Sequence, residues 1–519
     1  MIHDGANLPL PLEIDADLCV IGSGAGGAMV AKVAAEAGLH VVVIEAGGFF
    51  DPSQMRQRED TMLPRLYWHA AAQTTADRAV RIHQGRGVGG STLHNLNLCK
   101  RIPDAILSEW RRSRGLAHLP LERWHALYTE VEALLEVGPV PAARRNRSNR
   151  LLEEACTRLG WRGAGLADNR TGCVGSGFCE LGCAYDAKNN ACKVLVPAAV
   201  AGGCEVLAHV QAVRVLHDGQ AVSGVEAVAL DAERLRPRGR VRIHSRQVCV
   251  SASATGTAAL LLRSEVPSPP GSIGDNLHIH PAVIVAGDFD EPVRAWQGIP
   301  QTFECTEFLD IVGSTRRSAE VIAGRGRPSR IWIVPAFGHP MGTATMLPGH
   351  GEAHRALMAR YGHFAVLTAM LHDHSRGRVR PRGDTGLTID YTPDAADRAE
   401  LFGGLVACAR LLFAAGARRV LLTTDPLREI TSEAELAAIE LDVITPGAID
   451  LSAVHPMSSV PMGDDPATAA VDSRGRSHHL AGLWVADGSL FPSSIGVPPQ
   501  LSIYSLGLHV GRAITAAST

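Results

Sequence analysis

Two stretches of this chain carry residue types at spacings that can do chemistry. The first is Gly22-Ser23-Gly24-Ala25-Gly26-Gly27. Gly22 permits a tight turn, Gly24 lets backbone N–H groups approach a diphosphate, and Gly27 lets a helix pack closely on the strand before it. A diphosphate so held sits on the positive end of that helix. Glu45 follows at the spacing of an acidic residue that accepts hydrogen bonds from a ribose 2′-OH, which argues against a 2′-phosphate. The second stretch is Cys173, Cys179 and Cys183, set among glycines between Asn169 and Lys188. It reads first as three reduced thiols in a tight turn. The alternative is an iron–sulfur cluster with one iron short of a protein thiolate, while a structural zinc lacks a fourth ligand at finger-like spacing.

The elements around the first stretch are those it needs. Asp17 to Ile21 is a short apolar strand, and residues 28 to 37 form an alanine-rich helix with Met29, Val30, Val33 and Ala34 on one face. Gly38 ends that helix, and His40 to Ile44 is the next buried strand, followed by Glu45 and Ala46. Strand, glycine turn, helix, strand and acidic residue make a complete dinucleotide-binding unit. The unit alone does not choose between FAD and NAD.

At 519 residues the chain calls for two large domains. Its formal net charge of −3 gives no reason to invoke nucleic acid or an anionic membrane surface. No apolar run approaches membrane-span length, and the first residues carry neither a basic n-region nor an apolar h-region, so a cytoplasmic protein is expected. Most of the 11 cysteines lie in apolar strands, as reduced core thiols do.

Three further segments choose the cofactor by resemblance. They are Gly85-Arg86-Gly87-Val88-Gly89-Gly90-Ser91-Thr92-Leu93-His94-Asn95, then Ile273 to Pro281, then the block from His455 to Gln500. In this order, over nearly the whole chain, they resemble the glucose-methanol-choline (GMC) family of FAD oxidoreductases. The Cys-rich segment is similar to that of the branch containing long-chain alcohol oxidases and choline-dehydrogenase-like flavoproteins.

The resemblance implies an α/β fold. A Rossmann-like FAD-binding domain is assembled from residues 1–115, 186–275 and 445–519. A helical and Cys-rich insert covers 116–185, and an α+β substrate domain with an antiparallel sheet covers 276–444, as in p-hydroxybenzoate-hydroxylase-like two-domain folds. Short strands are expected at 204–207, 210–216, 224–230 and 241–250, with helices at 120–138 and 394–415.

The resemblance also assigns roles. Gly22, Gly24, Ala25, Gly27, Glu45, Ala46, Gly87, Gly90, Ser91, His94, Asn95, Asp487, Gly488, Pro499 and Gln500 would hold FAD. His94 matches the position at which choline-oxidising members join the flavin covalently; the alternative is a histidine hydrogen-bonding beside a noncovalent flavin. His455 matches the base that removes an alcohol's hydroxyl proton as hydride leaves for flavin N5, a task suited to a neutral imidazole. The family then places an asparagine or histidine where this chain has Pro498, which has no polar side chain. Gln500, Asn95 and the histidines from His339 to His374 are candidate replacements. The five histidines His350, His354, His363, His372 and His374 fit no compact metal site.

The expected activity is FAD-dependent oxidation of a CH–OH group in a small alcohol or sugar-like substrate, with oxygen or an electron-acceptor protein as oxidant. The alternative, motivated by Pro498, is an atypical flavin reaction such as desaturation or reduction. Substrate identity and oligomeric state are left open.

Overall fold

A computed structural model describes residues 1–310 and 327–518. Its first layer is a six-stranded sheet in the spatial order Ile2–Asp4, Glu205–Ala208, Val41–Glu45, Leu18–Ile21, Val248–Val250, Leu483–Val485. Every neighbouring pair is parallel. Parallel strands are covered on both faces, which is why Leu18–Ile21 and Val41–Glu45 read as unbroken buried runs.

Helix Ala25–Glu36 covers one face, and helix Gln500–Ser518 packs on it through glycines. A Cβ at Gly507 would lie 2.7 Å from the Gly26 carbonyl oxygen, so only a bare backbone permits this approach. The C-terminal helix thereby seals the dinucleotide-binding unit from far along the chain.

A second sheet joins antiparallel strands Val210–His217, Val222–Leu230 and Pro237–His244 to Leu12–Asp15. The single strand expected over 241–250 is in fact two, one in each sheet. The chain turns at Ser245, whose hydroxyl donates to the carbonyls of Asp17 (3.1 Å) and Gln247 (2.7 Å). Those side-chain bonds replace ladder bonds, and apolar periodicity cannot register them.

The third sheet has nine strands and builds the other wall of the molecule. Ala282–Asp288, Phe364–Leu371 and Ile331–Ala336 form its antiparallel centre. It also recruits Gly163–Gly165, Val80–Ile82 and Leu451–Ala453, which the sequence reading divides between the insert and the FAD-binding domain. Sheet membership here follows long-range pairing rather than position in the chain. Helix Ala395–Ala414 packs behind this sheet, and the Asp394 carboxylate caps it by accepting from the Asp397 N–H at 2.8 Å.

Candidate active site

Between the parallel sheet and the nine-stranded sheet lies a cavity of about 1100 Å³. Its lining includes Gly22, Gly24, Ala25, Glu45, Ala46, Gly90, Ser91, His94, Asn95, His455, Asp487, Gly488, Pro499 and Gln500. Residues separated by more than 400 positions in sequence thus meet around one space. Gly27 and Gly87 do not reach it. A Cβ at Gly27 would stand 2.0 Å from the Gly22 carbonyl oxygen, so this glycine serves helix–strand packing. Gly87, at φ +147°, turns its N–H onto Glu45.

Glu45 differs from the simplest expectation. One carboxylate oxygen accepts from the Ser23 N–H at 3.1 Å and the Ser23 hydroxyl at 2.7 Å; the other accepts from the N–H groups of Gly47 at 3.0 Å and Gly87 at 3.3 Å. The Ser23 oxygen in turn accepts from the Gly89 N–H at 3.0 Å. One buried carboxylate therefore ties the first glycine turn to the second, and a ribose hydroxyl would have to share acceptors already in use.

The two turns face each other closely. A Cβ at Gly90, φ +55°, would lie 2.8 Å from the Gly24 Cα, whereas one at Gly24 would meet nothing nearer than 3.9 Å. Backbone is thus exposed to the cavity on the Gly24 side, at the N-terminus of helix Ala25–Glu36, as a diphosphate requires. The buried Arg86 Nε has no protein partner, a donor free for an anion. Asp487 accepts from the Thr257 hydroxyl at 2.5 Å and the Ser489 N–H at 2.8 Å, and burial pushes its pKa up. These features fit a bound dinucleotide.

His94 is buried against Tyr67, ring centroids 3.9 Å apart. Its Nε2 has no hydrogen-bond partner. Burial, with Lys188 and His83 nearby, drives its pKa well below 6.5, so the ring is neutral. Lys188 fixes the segment by donating to the carbonyls of Leu93 (2.9 Å), Asn95 (2.6 Å) and Cys179 (3.1 Å).

His455 lines the same cavity, from the segment following Leu451–Ala453. Burial lowers its pKa to about 4, leaving a neutral imidazole at ordinary pH. Its neighbour is a residue the sequence reading did not select. His280 Nδ1 lies 3.2 Å from His455 Nδ1, and His280 Nε2 accepts from the Gly496 N–H at 3.0 Å. His280 stands at φ +51°, and its own N–H points to Asp373 at 3.3 Å. The only available sequence signal was its place in the Ile273–Pro281 segment.

Of the proposed replacements for Pro498, Asn95 and Gln500 are bonded to each other, and one histidine lines the cavity. Gln500 accepts from the Asn95 side-chain amide at 2.7 Å and donates to the Leu98 carbonyl at 2.7 Å. Of the histidines, His339 lines the cavity, whereas His350, His354, His363, His372 and His374 do not. Among the described residues, no group of three or more His, Cys, Asp or Glu side chains gathers where a metal ion could sit.

Cys173, Cys179 and Cys183 border a separate small pocket closed by residues 298–300. The Gly175 N–H points at the Cys173 sulfur (3.4 Å) and the Ala187 N–H at the Cys183 sulfur (3.3 Å). None of the three is in a disulfide.

Models of the GMC oxidoreductase family match residues 28–282 and 373–507. The chain belongs to the GMC oxidoreductase family. An uncharacterized GMC-type oxidoreductase of Mycobacterium tuberculosis is 35% identical over 98% of this chain and 77% of its own length. A long-chain-alcohol oxidase of Arabidopsis thaliana is 27% identical, over 100% of this chain and 71% of that protein. Among solved structures, pyridoxine 4-oxidase from Mesorbium loti has the same fold, with a TM-score of 0.70 at 19% identity over 96% of this chain and 98% of that one. Formate oxidase matches with a TM-score of 0.68 at 15% identity over 97% and 99% of the two chains. The two-domain α/β architecture is therefore that of a GMC oxidoreductase, and family membership implies FAD as its cofactor. No helix among the described residues is long and apolar enough to cross a membrane.

Proposed function

We propose that this GMC oxidoreductase oxidises the CH–OH group of an alcohol with an apolar body, His455 acting on the hydroxyl proton. The observation that carries this reading is the placement of a half-buried, neutral His455 in the wall of a cavity that also contains both glycine turns. Bound FAD would supply the acceptor for a hydride from the carbinol carbon. Gly24, Gly90 and Arg86 are suited to its diphosphate, and Asp487 and Gly488 to the remainder of the cofactor. Every second residue of two central strands, Ala282, Ile284 and Ala286 on one and Val366, Thr368 and Met370 on the other, faces the same cavity. That surface suits hydrocarbon better than a sugar ring.

His455 as base accepts the hydroxyl proton on Nε2. A second reading of its role is favoured by the Gly496–His280–His455 chain. Because the Gly496 N–H occupies Nε2 of His280, the proton of neutral His280 sits on Nδ1 and is donated to Nδ1 of His455. His455 then bears its own proton on Nε2 and serves as a donor to a substrate alkoxide, the hydroxyl proton leaving to water. Acting as a base requires His280 to give up the Gly496 bond. Oxygen or an electron-acceptor protein completes the cycle in either case.

Anaerobic mixing with primary alcohols of increasing chain length tests the activity itself. Flavin bleaching that strengthens with chain length is expected; a panel of aliphatic and sugar alcohols that leaves the flavin oxidised would end the proposal. His94 is the residue suited to a covalent flavin, because its neutral ring keeps an unshared lone pair at a partnerless nitrogen. After acid precipitation the yellow colour should stay with the protein pellet, and His94→Ala should move it to the supernatant. Wild-type colour in the supernatant would make His94 a noncovalent neighbour.

A further inference from the structure

A wholly buried carboxylate, Asp373, stands outside the cavity lining but is bonded to a segment that reaches it. Its oxygens accept from two successive backbone N–H groups, Ile279 at 3.0 Å and His280 at 3.3 Å, and from the Tyr391 hydroxyl at 2.9 Å. The His278 Nδ1 stands 3.6 Å away. Burial works against the charge, but the neighbouring His278 and the Ile279 N–H outweigh it and hold the carboxyl below its ordinary pKa. Asp373 is therefore ionised at ordinary pH.

These bonds fall where regular pairing stops. His278 and Met457 exchange both backbone hydrogen bonds, at 3.0 and 2.8 Å, as an antiparallel pair. Two residues on from His278 and two back from Met457, the same register sets His280 opposite His455. His280 stands at φ +51°, outside the extended region, where a strand ladder cannot hold it. The Asp373 carboxylate takes the N–H groups of Ile279 and His280 instead and fixes the turn from which the His280 ring extends. That ring accepts the Gly496 N–H on Nε2 at 3.0 Å and sets its Nδ1 3.2 Å from His455 Nδ1. Burial, then His455, His372 and His278, hold its pKa well below 6.5 although Asp373 pulls the other way. The neutral ring carries one proton, and the Gly496 bond leaves Nδ1 to carry it.

We propose that Asp373 is a positioning residue of this active site: it clamps the left-handed turn at His280 and, through that ring, fixes the orientation and tautomer of His455. The inference rests on reading His455 as the group that acts on the hydroxyl proton. A carboxylate suits the task because it accepts from both N–H groups at once, one on each oxygen, whereas an amide would turn a donor towards one of them.

The test uses the FAD-loaded enzyme. Asp373→Asn should slow anaerobic flavin reduction by a saturating aliphatic alcohol about 10–100-fold, with the half-saturating alcohol concentration little changed. In a His280→Gly background, which keeps the left-handed backbone but has no ring, the same substitution should change the rate less than about twofold. No loss in the first background, or an equal loss in both, overturns the proposal. Nitrogen-15 spectra of histidine-labelled enzyme read the positioning without turnover. The His280 signals, identified by their absence from His280→Gly, should show the proton on Nδ1 in the wild type and a mixture of tautomers in Asp373→Asn. A wild-type proton on Nε2, or an unchanged tautomer in the variant, overturns it as well. If Asp373→Asn purifies without flavin, Tyr391→Phe is read by the same measurements: a smaller change of the same sign is expected, and no change overturns the proposal. Because the spectra need no substrate, inert alcohols would sink the oxidation reading while leaving the spectra to decide this one.

Discussion

His455→Ala should lower the rate of anaerobic flavin reduction by about 10²–10⁴ while FAD remains bound. The group removed is a polar side chain facing the cavity, and Pro498 has no polar side-chain atom with which to replace it. His280 cannot take over as the base in place, since its Nε2 still accepts from the Gly496 N–H and its Nδ1 then carries the ring proton. His455→Gln separates the two roles. If His455 is a base, glutamine should be as slow as alanine, because an amide cannot accept a proton near neutral pH. If it is a donor to an alkoxide, glutamine should recover much of the rate, since its NH₂ can donate in the same direction. The pH profile adds an independent check. A base whose pKa is lowered to about 4 is already neutral above that value, so its loss of activity on acidification should come near pH 4 rather than near 6.5. An alanine variant that reduces flavin at the wild-type rate would remove His455 from the mechanism.

Glu45→Ala should yield protein that has lost most of its FAD and about 3 kcal/mol or more of stability. Glu45 is 7% exposed, and its carboxylate accepts from four donors, two on the first glycine turn, one on the second and one at Gly47. Alanine would strand those N–H groups in a buried place, where each unmade bond costs about 1–3 kcal/mol. The turns would also lose the brace that sets Gly24 opposite Gly90. Glu45→Gln should be intermediate, because the amide oxygen can serve one pair of donors while its NH₂ confronts the other. The measurements are flavin content per chain and the urea midpoint of the FAD-free protein. Full flavin loading and an unchanged midpoint in Glu45→Ala would show the brace to be dispensable.

The sequence by itself determined the dinucleotide-binding unit, because its requirements are local: a glycine where the turn needs one, a helix of small residues, two apolar strands and an acid at a fixed spacing. It also determined the family, through three segments whose order is carried by the chain. Most of the selected cofactor residues do line one cavity, since the segments that hold them are short and rigidly turned. Tertiary structure alone decided the rest. That Glu45 braces two glycine turns depends on where Gly87 comes to lie, 42 positions away. The strand expected over 241–250 divides because Ser245 finds partners in another segment. His280 meets His455 across 175 positions, and neither periodicity nor spacing can encode that distance. The pairing of Val80–Ile82 and Leu451–Ala453 into the nine-stranded sheet is of the same kind. Local rules fix turns, caps and periods; side chains that meet from distant segments are chosen by packing, which is settled only when the whole chain has closed.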